Sequence, residues 1–297
     1  MSLARDVVPS RFYLITRRCT QRQFLLRPDD DINNAFVYCL GEAAQRFGID
    51  VLLTCAMSNH HHTVIYDRVG NYPEFLEHFH KMVARCLNAY RGRWENFWSS
   101  EQVCVVRLVG AEDIISKLVY VATNPVKDHL VERVHQWPGV NSYRALVTQR
   151  PVTAKRPDFF FRKNGKMPAA ITLQFVIPPE FGAAPDVLRM LAERVSEAED
   201  VARDERLQNG RRVLGRKRVL EQQWSAWPKT KEPRRNMRPR IAARSMWTRV
   251  ESIRRNQEFL EAYRGARLSF VLGATVPFPP GTYWLRRFAS VPIVQLS

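Results

Sequence analysis

Four side chains in two short runs could act together on a phosphate ester. In SNHHHTVI (58–65), the two-residue alternation of a strand sets His60 and His62 on one face, about 7 Å apart, and turns His61 to the other. Two imidazoles on one face can converge on a single cation. In KLVYVATNPVK (117–127), Tyr120 and Asn124 stand four apart, which puts both on one face of a helix. Asparagine offers an amide oxygen to a metal, and tyrosine offers a hydroxyl that can attack. Each run alone has a plainer reading. The histidines fit an ordinary packed or surface pair, and Tyr120 fits an apolar helix face that Asn124 closes before Pro125.

The elements that must position these groups follow from periodicity. RFYLITRRC (11–19) has the aromatic and β-branched content of a strand. After the turn-forming RPDDD, residues 33–49 repeat apolar positions at helical spacing and stop at Gly48. DVLLTCAM and HHHTVIYD are two apolar runs joined by Ser58 and Asn59, as in an antiparallel hairpin. A second helix is expected over 72–91, a fourth strand over 101–109 and a third helix over 111–123. This βαββαβα order predicts an α+β fold, a ferredoxin-like antiparallel sheet with helices on one face and the other face open to substrate.

The two motifs also occur in a familiar order. NHHHTVI resembles the Asn-His-hydrophobic-His signature of HUH nucleases, and YVATNPVK followed by LVERVHQWPGVNSYRAL resembles the tyrosine-helix region of the REP-associated tyrosine transposases. The resemblance spans roughly 8–150 and implies a single-tyrosine HUH endonuclease domain over 1–150. It implies that His60 and His62 bind a divalent ion, Mg²⁺ or Mn²⁺, with Asn124 as third ligand, and that Tyr120 is the nucleophile. It further implies nicking of single-stranded or hairpin DNA through a 5′-phosphotyrosine linkage, with rejoining by a second 3′-hydroxyl. No nucleotide cofactor is needed, and no GxxxxGK[ST] occurs. Two departures stand out. His61 and Ser58 replace a hydrophobic residue and a proline common in relatives, and Asp128-His129 replaces a frequent Ala-Gly, which bears on the local turn.

Composition fits such a partner. A net charge of +17 and a pI near 10.2 create a field that draws polyanions. No apolar run approaches the roughly 20 residues that span a bilayer, and charges interrupt the N-terminal stretch where a signal peptide would be apolar. The five scattered cysteines suit a reducing compartment, so a cytoplasmic, nucleoid-associated protein is expected. Arg17, Arg18, Arg91, Arg93 and Lys127 are candidate phosphate contacts, and Tyr90, Trp94 and Trp98 candidate stacking platforms. Residues 151–185 read as a Pro-rich connection, and 186–297 as a mostly helical, basic accessory DNA-binding region. Between Arg211 and Arg255 the chain has fifteen Lys and Arg against three Glu. A non-cutting protein that binds structured DNA is an alternative, and so is an RNA-binding module, although no aromatic RNP signature occurs. A homodimer is compatible with all three readings.

Overall fold

The computed structural model describes residues 4–230 and 239–294. Strand β1 (Arg11–Arg18) carries the first aromatic and β-branched run. Asp29 then accepts a hydrogen bond from the Ile32 amide at 2.8 Å and caps α1 (Asp30–Phe47), so the acidic run starts the helix rather than preceding it. Gly48 ends α1 in the left-handed region at φ 65°. β2 (Ile49–Met57) and β3 (His60–Asp67) form the expected hairpin. The Asp67 carboxylate accepts the amides of Gly70, Asn71 and Tyr72, which ties β3 to α2 (Tyr72–Tyr90). β4 (Cys104–Leu108) and α3 (Ala111–Lys127) complete the series.

The strands lie in the order β2-β3-β1-β4, all antiparallel, and the fold is α+β. Alternation along β3 sorts the histidines between the two faces. On the side covered by α1 and α2, His61 is fully buried and meets Phe36, Phe79 and His80 at centroid distances of 5.6, 5.4 and 5.2 Å. On the other side α3 crosses β2 and β3 and brings Tyr120 to His62. The second face, expected to be open, is therefore partly roofed by the helix that carries the candidate nucleophile.

α3 also runs further than its Asn-Pro sequence suggests, ending at Lys127 with Pro125 inside it. Proline removes the bond to the carbonyl four residues earlier, a loss of about 3 kcal/mol in a helix interior. Here it falls in the last turn, and burial of Val121, Ala122, Pro125 and Val126 offsets it. Asn124 consequently stays helical, one turn beyond Tyr120.

After the short α4 (Tyr143–Val147), the segment expected as a connection forms a hairpin of β5 (Val152–Lys155) and β6 (Ala170–Leu173). It lies on α1: Asn34 exchanges two hydrogen bonds with the Lys155 backbone, and Tyr38 Oη donates to the Pro168 carbonyl at 2.7 Å. Alternation of apolar residues in ITLQFVI explains the docking, since Ile171, Leu173, Phe175 and Ile177 are all buried. Gly41 of α1 makes the approach possible, because a Cβ there would overlap Ile171 Cγ2. Gly41→Val is expected to cost about 2 kcal/mol through overpacking, read as a lowered thermal midpoint; an unchanged midpoint would mean that the hairpin does not rest on α1.

α5 (Ala184–Gln208) buries Val187, Leu191 and Val195 and packs along α3, with Arg194 paired to Glu112 at 2.5 Å. α6 (Arg216–Glu221) follows, then β7 (Ile241–Ala242), which joins the sheet parallel to β4. Arg107 N donates to Arg240 O at 2.8 Å and Val109 N to Ala242 O at 3.3 Å, so β7 borders one side of the sheet. Along β2 the opposite side is bordered too: Ala56 N bonds Val140 O, Ser142 N bonds Thr54 O and Val176 N bonds Val51 O. In α7 (Met246–Val271) only Ser252 and Phe259 are buried, and α8 (Trp284–Ala289) ends the described helices. Residues 231–238 of the basic stretch lie outside the described residues.

Candidate active site

His62 is placed by both neighbours of β3. Thr16 stands opposite it on β1, with Oγ1 2.8 Å from His62 Nδ1. When Nδ1 carries the proton, Thr16 accepts it in a hydrogen bond and Nε2 keeps its lone pair, as coordination requires. The ring is 5 % exposed, and its Nε2 lies 3.4 Å from the Tyr120 hydroxyl. His60 is half-buried, with Nδ1 2.7 Å from Asn59 Oδ1 and its ring centroid 4.9 Å from that of His62. Burial, with repulsion from His60 and His61, holds His62 well below the usual imidazole range, so it is neutral at pH 7.

Tyr120 is half-buried on α3, its ring flanked by Lys117 Nζ at 5.7 Å and Lys127 Nζ at 5.8 Å. Burial and then the Asp128 charge raise its pKa, while Asn124 and Arg18 pull it down. The phenol is therefore protonated in the resting protein. Asn124 is 5 % exposed and its Oδ1 is buried without a hydrogen-bond partner. Leaving an acceptor unmet costs about 1–3 kcal/mol, and a hard cation would satisfy it. Among the described residues no group of three or more His, Cys, Asp and Glu could hold a metal. A cation here would rest on two imidazoles and an amide, a donor set that suits Mn²⁺ or Mg²⁺ and leaves coordination positions for water and phosphate.

The other sequence candidates divide. Lys127 reaches the Tyr120 ring, and the Arg18 charge acts on both Tyr120 and His62. Arg17 points to the opposite face, where its guanidinium lies 5.9 Å from the Trp98 ring and burial lowers its pKa. Trp98 is corrected to a core residue: it is 7 % exposed and its indole N–H donates to the His80 carbonyl. Arg91 and Arg93 flank Trp224, and Arg91 pairs with Asp29 at 3.6 Å with a side chain only 7 % exposed. Both are structural here: they follow the end of α2, where Arg91 is held by Asp29 and Arg93 donates to Gln23 Oε1 at 3.2 Å. Tyr90 Oη is bonded to Asp31, whereas Trp94 is 90 % exposed.

Sequence reasoning missed Thr16 and Lys117. Lys117 was detectable, three residues before Tyr120 on the same helix. Thr16 was not, because its role depends on strand register. Thr16→Val is expected to weaken Mn²⁺ binding about 10- to 100-fold by titration calorimetry; unchanged affinity would mean that His62 is oriented without it.

The departure at Asp128-His129 has a backbone meaning. His129 adopts φ 54°, the left-handed region that glycine enters without strain, so the turn survives in strained form. The substitution at 61 leaves the site alone, since His61 faces α2 with its Nε2 3.0 Å from His80 Nε2. Burial holds His61, His62 and His80 all well below the usual imidazole range. The unfolded chain, with imidazoles near 6.5, then binds protons that the folded chain refuses. Stability is complete above about pH 6.5 and is lost progressively below it, to be read as a falling urea midpoint between pH 7 and 5.

A basic strap borders the site. Leu214 N and Gly215 N bond the carbonyls of His129 and Leu130 beyond α3, Ser58 Oγ donates to Gln222 Oε1 at the β2–β3 turn, and Phe24 N bonds Ala226 O. Arg211, Arg212, Arg216, Lys217 and Arg218 on this strap are exposed.

Comparison with family models and with curated proteins gives no match. Among solved structures, one neighbour is a REP-associated tyrosine transposase bound to a REP hairpin, at 14 % identity and TM-score 0.42, covering 50 % of this chain and 86 % of that one. Another is a candidate transposase from Deinococcus radiodurans R1, at 17 % identity and TM-score 0.30, covering 42 % of this chain and 97 % of that one. Both of these neighbours are described as transposases, and each aligns with half of this chain or less.

Proposed function

We propose that this protein is a metal-dependent DNA strand transferase that nicks and rejoins single-stranded DNA beside a hairpin through Tyr120. The observation that carries the reading is one contact: strand β3 and helix α3, distant in sequence, set the Tyr120 hydroxyl 3.4 Å from His62 Nε2, with the unmet Asn124 oxygen one helical turn away. A tyrosine wanted only for packing needs no such company.

His60, His62 and Asn124 would hold a divalent cation, which would polarise the scissile phosphate and offset charge that develops during attack. The residues supply the rest. Thr16 fixes the His62 ring, and the helix fixes Tyr120 in line with it. Lys117 and Lys127 beside the phenol, together with Arg18, favour the phenolate and can neutralise the incoming phosphate. Attack by Tyr120 Oη, whose proton passes to water, forms the Tyr-O–P bond and breaks the bond from phosphorus to the 3′ oxygen, which leaves as a 3′-hydroxyl after taking up a proton from water. Reversal by another 3′-hydroxyl rejoins a strand, so one diester replaces another and no nucleotide is consumed. The strap arginines would contact the flanking phosphates and make binding salt-dependent.

The test is incubation with labelled hairpin oligonucleotides bearing single-stranded flanks, in Mn²⁺ or Mg²⁺, followed by denaturing gels. A covalent adduct in wild type, lost in Tyr120→Phe and His62→Ala, is the expected result. Hairpin binding with no adduct under any condition would make this a recognition protein instead.

A further inference from the structure

On the face opposite Tyr120, toward the start of β1, a cavity of about 360 Å³ opens between β1, β4, β7 and α7. Tyr13 lies roughly 17 Å along β1 from Arg18 at about 3.3 Å per residue, so this cavity is separate from the candidate active site. Its lining gathers Arg5, Arg11, Arg107 and Arg240. Arg11 is committed to Asp6 at 2.7 Å, and Glu101 stands exposed at the rim. Arg107, registered opposite Tyr13, makes no ion pair among the described residues. Burial lowers its pKa, and the charges of Arg11 and Arg255 lower it further. Guanidinium groups drawn together in a half-buried pocket repel unless an anion joins them.

A second group independently asks for an acceptor. Tyr13 is 3 % exposed and its hydroxyl is buried; Arg11 lies close enough to donate toward its oxygen, but the phenol proton finds no acceptor among the described residues. A buried donor without an acceptor is expensive, and this one lines the same cavity. Ser252 and Asn256 of α7 add neutral polar groups on the far wall.

We propose that this cavity binds a phosphate group, with Arg5, Arg107 and Arg240 supplying the charge and the Tyr13 hydroxyl a further donor. Phosphate matches guanidinium geometry and has enough oxygens to accept from the phenol as well. The volume falls at the lower end of small-ligand pockets, which run from about 300 to 1,000 Å³, so it takes one nucleotide and not a duplex. The phosphate comes either from a free nucleotide or from one position of a single strand. None of this depends on the role of Tyr120.

Titration calorimetry on the full chain separates the sources, with deoxyadenosine monophosphate in one arm and a deoxythymidine oligonucleotide in the other. Tyr13→Phe removes only the unmet hydroxyl and keeps the fold; Arg107→Gln removes a charge. Binding of the mononucleotide that weakens at least about tenfold in Arg107→Gln and several-fold in Tyr13→Phe identifies a free-nucleotide site. Binding of the oligonucleotide alone, with the same losses, identifies a strand contact. Affinities for both probes that are absent or indifferent to both substitutions overturn the proposal.

Discussion

Tyr120→Phe is expected to abolish the covalent adduct and to lower strand cleavage by at least about 10⁴-fold, the scale of losing a nucleophile outright, while hairpin affinity changes less than about twofold. The substitution removes one oxygen and leaves the ring between Lys117 and Lys127. The hydroxyl lies 3.4 Å from His62 Nε2, long for a hydrogen bond, so its removal costs folding little. Structure and activity are thus cleanly separable at this residue. Cleavage that persisted in the variant would assign the attack to another group, water being the first to test by analysing the ends produced.

Asn124→Leu is the second large effect, and its value lies in an opposition of signs. The amide oxygen is buried without a donor, so an apolar side chain of similar volume should leave the metal-free protein as stable as wild type or about 1 kcal/mol more so. A ligand that binds only the folded state raises its melting temperature, and wild type should therefore melt higher in Mn²⁺ than in chelator. In Asn124→Leu that increment should vanish, and cleavage should fall about 10³-fold, given that metal stabilisation of a transition state is worth several kcal/mol. His62→Ala should lose the same increment but also destabilise, because it empties buried volume and strips Thr16 of its partner. If Asn124→Leu is markedly less stable without metal, the amide has a structural partner and is no ligand.

The fold was largely legible because its signals are local. Alternation and helical spacing placed four strands and three helices, and the strand period alone separated His61 from His60 and His62. Three features were not read from the sequence. Asp29 reads as loop composition until the bond from the Ile32 amide makes it a cap, which shortens the expected turn. Asn124 and Pro125 carry a strong stop signal that tertiary burial overrides. The Pro-rich run after 150 hides a hairpin whose alternation is short and whose docking depends on one missing side chain, at Gly41.

The site was legible in its chemistry and less so in its surroundings. His60, His62, Tyr120 and Asn124 were candidates because spacing puts each pair on one face and because the two runs together resemble the motifs of the REP-associated tyrosine transposases; the structure brings Tyr120 beside His62. Which arginine serves the site could not be read from charge alone. Arg17 and Arg18 are adjacent in sequence, and the pleat sends one toward Trp98 and the other toward Tyr120. Trp98 and Arg91 failed as surface candidates for a similar reason, since an aromatic residue beside a cation is as well suited to a wall of the core as to a nucleotide.

The borders of the sheet limit how copies of this chain can meet. Exposed strand edges are sites where sheets of two molecules fuse, productively or as aggregates. Here residues 140–142 and Val176 occupy backbone groups along β2, and Arg240 and Ala242 occupy those of Arg107 and Val109 at β4. A continuous intermolecular sheet would first have to peel one of these segments away. Along these stretches β2 and β4 are guarded against the templated growth to which unprotected sheets are prone.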